Sequence, residues 1–420
     1  MGDNGQRLGS IDRRIRSDAD AVPVAPEAFV VEQLPDLLGR HGDLVADGIR
    51  RLGLRPLAFD LAGSPWSATL GLDGDGLSVR PGIGDDALVL DVDEAQFSDF
   101  VLDQRSLNSF SVARDVRMHN ASMTQILDWD RVWRALLDGW AVHRPGDIDF
   151  GDRDGSPLDL HQGFGPDDDP ADIAHFLREA GFVRLEGWLD PADMATIADD
   201  IERALPSYRP DDGRSWWATL SNGEERCVRL LHFVEHSETT ARVLGSEAWD
   251  RLRTTVAGDD TLERGPITGN IIEALIKPLG VTQGISDIPW HRDCSLGRHS
   301  YKCCGITVGV SVSDGGADRG QLRAVAGSHR ANVPAVGVQP ELDLPVVGLP
   351  TRAGDLTVHV SCTLHEATPP LAAERTVMYT GFGLPARPSA EDNAAAARAW
   401  ERRNQAHKLQ SQPPSPVSAS

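Results

Sequence analysis

The segment Ile288-Pro289-Trp290-His291-Arg292-Asp293 decides how the second half of the chain is read. A histidine and a carboxylate separated by one residue in an extended segment point to the same side of the backbone, because side chains alternate with period two along a strand. Such a pair can grip one face of a divalent metal. A second histidine from elsewhere would complete a two-histidine, one-carboxylate triad with open positions, the arrangement of non-haem Fe(II) oxygenases. His329, His359 and His365 all lie downstream. Arg375 follows in the strand-like run Arg375-Thr376-Val377-Met378-Tyr379-Thr380. A guanidinium beside an iron site can hold the distal carboxylate of an oxo-acid cosubstrate through two parallel hydrogen bonds.

Outward from this segment, residues 271–277, 305–312 and 356–360 read as short strands separated by Gly/Pro turns. That pattern predicts an all-β core, a double-stranded barrel of the cupin or jelly-roll type. A helix over 173–181 stopped by Gly181, a strand at 182–185 and a helix capped by Asp190 with Pro191 at its first position open this domain. The N-terminal half reads differently. Helical spacing over 29–52 gives way to period-two runs at 57–61, 66–72 and 77–79, the last two joined by the turn Asp73-Gly74-Asp75-Gly76. A strand at 87–92, an acid-capped helix at 93–101 and an amphipathic helix at 129–139 complete a small α+β domain over 25–147. Residues 148–170, dense in Pro, Gly and Asp, are expected as a linker to a second domain at 171–388. Residues 1–24 are expected as a disordered tail, and 389–420 as a surface helix with a Pro/Ser-rich tail.

The chain has 420 residues and a net charge of −22, from 41 basic and 63 acidic side chains. Such a field excludes nucleic acid and anionic membranes as partners. No run of about 18 apolar residues occurs, so no membrane span is expected. No apolar stretch follows Arg13 and Arg14, which argues against a signal peptide. The five cysteines are odd in number and form no CxxC pair. Neither a disulfide framework nor a zinc site is therefore expected, and a reducing cytoplasm fits.

Several blocks taken in order resemble the phytanoyl-CoA dioxygenase (PhyH) family. They are Trp290-His291-Arg292-Asp293, then Gly320-Gln321-Leu322 through Gly327-Ser328-His329-Arg330, then Gly354-Asp355-Leu356, His365 and Arg375. The likeness spans about 170–385, with Ala326 where that family usually has Pro. The resemblance implies an Fe(II)- and 2-oxoglutarate-dependent dioxygenase that consumes O2 and releases succinate. It makes His291, Asp293 and His365 the metal ligands and Arg375 the partner of the 2-oxoglutarate C5 carboxylate. Lys277, in Lys-Pro-Leu-Gly, resembles the family's approach to the triad and is carried as a second cosubstrate contact. His359 shares strand parity with His365 and is the rival ligand, whereas His329 reads as a turn-fixing residue. A carboxylate at Asp293, where halogenating relatives lack one, favours hydroxylation of an unactivated carbon; desaturation, cyclisation and epoxidation use the same triad. The N-terminal half resembles the sterol-carrier-like fold, which implies an apolar ligand or, alternatively, a supporting role. The small-molecule substrate is then a lipid, terpenoid or other specialised metabolite. The competing reading is a lipid-binding or transfer protein whose oxygenase half is inactive.

Overall fold

A computed structural model of the chain describes residues 10–17, 20–74, 76–264, 272–284, 287–303 and 305–385, together with Glu401. The helix and tail expected over 389–420 lie, apart from that one residue, outside the described residues.

The N-terminal half is an α+β unit, as its sequence predicts. Its sheet comprises β1 (Leu57–Leu61), β2 (Ser67–Asp73), β3 (Gly76–Pro81), β4 (Leu88–Val92) and β5 (Arg117–His119), in the order β3-β2-β1-β4-β5. Strand β1 is antiparallel to β2 and parallel to β4. The helix Glu94–Val101 begins where expected, because Asp93 and Gln96 form a reciprocal capping box. The helix expected at 129–139 starts earlier, at Met123, where the Ser122 hydroxyl accepts from Gln125 N. Between sheet and helices the interior is filled by Phe29, Phe59, Phe97, Phe100 and Trp133, whose ring centroids stand 4.6 to 6.3 Å apart. Mutual edge-to-face and stacked contacts of this kind add about 0.5–1.5 kcal/mol per pair beyond burial.

Among the described residues, the C-terminal half carries fourteen further strands: β6 (Gly163–Phe164), β7 (Phe182–Leu185), β8 (Ser215–Leu220), β9 (Glu225–Leu230), β10 (Glu263–Arg264), β11 (Glu273–Lys277), β12 (Val281–Gln283), β13 (Ile288–His291), β14 (Ile306–Ser311), β15 (Leu322–Val325), β16 (Val346–Leu349), β17 (Leu356–Val360), β18 (His365–Ala367) and β19 (Arg375–Gly383). They form a ten-stranded sheet, β12-β8-β9-β11-β19-β14-β17-β7-β6 with β10 beside β19, and a four-stranded sheet, β13-β18-β15-β16. Apolar residues of both sheets, among them Val308, Val358 and Met378 on the large one and Leu322, Ala324 and Leu349 on the small one, share one core. Two sheets around one core agree with the jelly-roll expectation. Gly181 ends the helix Pro170–Ala180 at φ 85°, and an added Cβ there would meet His329 Nδ1 at 2.3 Å. His329, held by a 2.8 Å bond between its Nε2 and Arg178 O, fixes that corner, as its turn context suggests.

Two expectations are corrected. Residues 10–17 and 20–24, read as part of a disordered tail, form a strap across both halves. Ser10 Oγ and Ile11 N donate to Asp260, Ile11 enters the C-terminal core, and Arg14 donates to Pro385 O. Ile15 and Arg16 N–H groups donate to Ser300 O at 3.0 Å, and Val24 N donates to Ser98 Oγ on the N-terminal unit. A lone Ile11 in a polar run has no periodicity, so only its distant partners reveal its burial. Residues 148–170 are likewise no free linker: β6 pairs in parallel with β7, and Phe150, Leu158 and Leu160 pack on the C-terminal core.

The two halves meet on the segment that follows Asp293. Arg298 N donates to Asp103 O, Ser300 N to the Asp103 carboxylate and the Tyr301 hydroxyl to Leu102 O, at 2.7 to 2.8 Å. Arg134 completes the clasp by reaching Asp103, Asp138 and Ser300 Oγ. Among the described residues, no helix is long and apolar enough to cross a membrane.

Candidate active site

Strands β13 and β18 run antiparallel with His291 directly opposite His365. Pairing therefore places the two imidazoles on one face without help from any loop. Asp293, two residues beyond His291, returns to the same side. His291 Nε2 stands 3.6 Å and His365 Nε2 3.7 Å from Asp293 Oδ1. The ligand atoms of all three residues lie within 4.8 Å of one another, so one ion can reach all of them.

Neighbouring groups orient the three. The Nδ1 atoms of His291 and His365 lie 2.8 and 2.9 Å from the carbonyls of Pro289 and Thr363. A carbonyl can only accept, so each Nδ1 carries the proton and each Nε2 offers its lone pair to the site. The Thr307 hydroxyl donates to Asp293 Oδ2 at 2.9 Å. Burial opposes ionisation of Asp293, yet the surrounding His291, His359 and His365 hold its carboxyl well below the usual carboxylate range. Its side chain keeps 34% of its surface open, which gives the site a mouth.

His359, the rival ligand, is brought to the same place but differently. Its Nε2 stands 3.6 Å from Asp293 Oδ2, and its ring centroid 4.1 Å from that of His365. It backs the carboxylate from the interior of β17, while His365 shares Asp293 Oδ1 with His291.

Arg375, at the start of β19, is fully buried. Its Nη1 donates to Gly320 O at 2.8 Å, and its Nε and Nη2 meet no hydrogen-bond acceptor among the described residues. A buried cation with idle donors is costly unless an anion arrives to complete it. Gly315 leaves the guanidinium its space, since a Cβ there would lie 2.9 Å from Arg375 Nε. Lys277 is the register partner of Arg375 on β11. Its ammonium donates to the carbonyls of Ala367 and Thr368 at 3.1 and 2.7 Å, which ties down the strand carrying His365. Burial brings its pKa down to about 8, against the pull of Asp287.

Sequence reasoning did not single out Thr307, Tyr379 or Glu273. Burial raises the Tyr379 phenol, and the charges of Arg375, Asp293 and Arg229 all act on it, so these groups share one interior. Glu273 pairs with Arg229, over which the Trp216 ring lies at 4.0 Å. Strand parity is the signal that could have found Tyr379 and Glu273, which face each other across β11 and β19.

Among curated proteins, none matches the chain. Among solved structures, similarity is found to AviO1 from Streptomyces viridochromogenes Tue57, at 23% identity over 53% of this chain and 98% of that one, with a TM-score of 0.41. The epimerase SnoN in complex with Fe3+, alpha ketoglutarate and nogalamycin RO matches at 22% identity over 53% and 88%, with a TM-score of 0.40. EvdO2 from Micromonospora carbonacea var. aurantiaca, complexed with 2-oxoglutarate, matches at 18% over 52% and 92%, with a TM-score of 0.38. Family comparison matches residues 177–375, the span holding His291, Asp293, His365, Lys277 and Arg375, to phytanoyl-CoA dioxygenase (PhyH). Those residues, just under half of the chain, match a PhyH domain, and that family depends on Fe(II) and 2-oxoglutarate.

Proposed function

We propose that the chain hydroxylates an unactivated carbon of a small, hydrophobic substrate, with Fe(II), 2-oxoglutarate and O2 as its cofactor and cosubstrates. One observation carries this reading: a two-histidine, one-carboxylate face opens beside a buried arginine whose Nε and Nη2 have no acceptor among the described residues. The donor set suits a ferrous ion, because two imidazoles and one carboxylate on one side leave the opposite positions free. His291, Asp293 and His365 would hold the ion, and Arg375 the C5 carboxylate of 2-oxoglutarate. The loaded centre supplies oxidative decarboxylation of 2-oxoglutarate to succinate, coupled to oxidation of a substrate C–H bond.

The chain's own residues divide the remaining work. Thr307 and the Pro289 and Thr363 carbonyls fix ligand orientation. Lys277 anchors the end of β18. Asp293 fills the position that a halide would need, which supports hydroxylation over halogenation. The sterol-carrier-like reading of the N-terminal unit assigns it an apolar ligand; its aromatic interior and its clasp on the segment after Asp293 favour a supporting role.

Anaerobic addition of Fe(II) and 2-oxoglutarate should produce a weak visible charge-transfer band that His365→Ala abolishes. Absence of both the band and substrate-independent succinate formation would overturn the enzymatic reading in favour of a binding protein. Product mass then separates insertion of one oxygen from loss of two hydrogens. Mass spectrometry of apolar extracts from the purified full chain tests the N-terminal ligand.

A further inference from the structure

Four side chains beside the triad have no part in the chemistry above. Cys294 follows Asp293 directly. His299 and Cys303 sit four residues apart on and just after the short helix His299–Lys302, and Cys362 lies in the turn between β17 and β18. Each offers one ligand atom, and these four atoms lie within 4.8 Å of one another. Cys294 Sγ is 3.8 Å from Cys362 Sγ and 3.8 Å from His299 Nδ1, and Cys362 Sγ is 3.7 Å from the same nitrogen.

Those lengths are informative. Tetrahedral arms of about 2.3 Å to sulfur and about 2.0 Å to nitrogen give edges of about 3.8 Å between sulfurs and about 3.5 Å between sulfur and nitrogen. We propose that Cys294, His299, Cys303 and Cys362 hold a structural zinc ion, a second metal site distinct from the triad.

The alternative is a Cys303–Cys362 disulfide, the form in which the structure joins these two residues. Their Cα atoms stand 7.0 Å apart, beyond the usual span of about 4.4–6.8 Å for a disulfide. A disulfide also uses only two of the four groups and leaves the Cys294 sulfur and the His299 nitrogen converging on it for no purpose. Zinc uses all four. Three thiolates and a neutral imidazole around Zn2+ leave one negative charge, which the buried Arg292 beside Cys294 offsets. Trp140 stacks on the His299 ring at 5.4 Å and fixes its plane. Cys303, Cys362 and His299 are buried, as befits a closed, non-catalytic site.

The ion would join three pieces of chain: the residue after Asp293, the turn leading into His365, and the helix clasped by Asp103 and Arg134. It would therefore position two triad ligands through their backbones, and fix the surface on which the N-terminal half docks.

Elemental analysis and native mass spectrometry of the purified full chain test this, with the His365→Ala protein as the control that disables the triad. One zinc per chain, retained in His365→Ala and lost in Cys294→Ser and His299→Ala, is expected. His299→Cys should keep the ion in an all-thiolate shell, which separates ligand loss from misfolding. Alkylation under denaturing conditions with chelator and without reductant should modify all five cysteines. A disulfide would leave three modified (5 − 2). Substoichiometric zinc in His365→Ala, or only three modified cysteines, overturns the proposal whatever the catalytic activity.

Discussion

Asp293 and Cys294 are adjacent in the chain and belong to opposite kinds of cluster. The triad side is open, with a third of the Asp293 side chain exposed and three candidate ligands. The cysteine side is closed, with Cys303 at 1% and Cys362 at 0% exposure and four candidate ligands. An open set of three suits chemistry, whereas a closed set of four suits architecture. One peptide bond separates the two, so rigidity in the second is transmitted directly to the first.

Substitutions can break or sharpen that contrast. The largest effect is expected of His365→Ala, which should reduce succinate formation to background while leaving the melting temperature essentially unchanged; a large stability loss would blur the distinction between the clusters. Arg375→Ala comes next. Losing a charge-assisted contact to the cosubstrate carboxylate costs about 1.5–3 kcal/mol, so the KM for 2-oxoglutarate should rise roughly 10- to 100-fold in steady-state assays.

Asp103→Ala probes the closed side. It removes the buried partner of Arg134 and of Ser300 N, and should lower stability to urea by about 3 kcal/mol. Measured alongside, the KM for 2-oxoglutarate should hold steady.

A pH dependence is also expected. Burial raises the Asp130 carboxyl to about 7, although the Leu107 and Asn108 N–H groups that it accepts act against this. Its folded pKa exceeds the unfolded value, so the stability linked to its extra proton is present below about pH 4 and is lost as pH rises through about 7. The melting temperature of Asp130→Asn relative to wild type should therefore climb between about pH 5 and pH 8.

How much of this was legible differs between the clusters for a physical reason. The triad announces itself because His291 and Asp293 share a strand face, and because His365 and Arg375 stand in an ordered series of short motifs. The cysteine cluster has no such signal. Its members at 294, 299, 303 and 362 follow no CxxC spacing, and only the β17–β18 turn delivers the fourth. The odd cysteine count argues against a metal site, yet Cys227 stands apart as a buried core residue and Cys304 lies outside the described residues, which leaves three thiols for the cluster. Secondary structure is most legible where caps are local, as at Asp93 and Asp190, and least where partners are remote, as for the strap of residues 10–17 and 20–24. Strand parity makes His359 a rival of His365 but says nothing about strand-to-strand proximity; pairing with Thr307 places it against Asp293.

That strap also bears on the timing of synthesis. Residues 10–16 leave the ribosome long before their partners Asp260, Ser300 and Pro385, which lie 249 to 371 residues further along the chain. At about 5–20 residues per second, the segment waits on the order of tens of seconds before it can seat. The N-terminal half can fold during that interval, but the seal across both halves closes only when nearly the whole C-terminal domain has emerged.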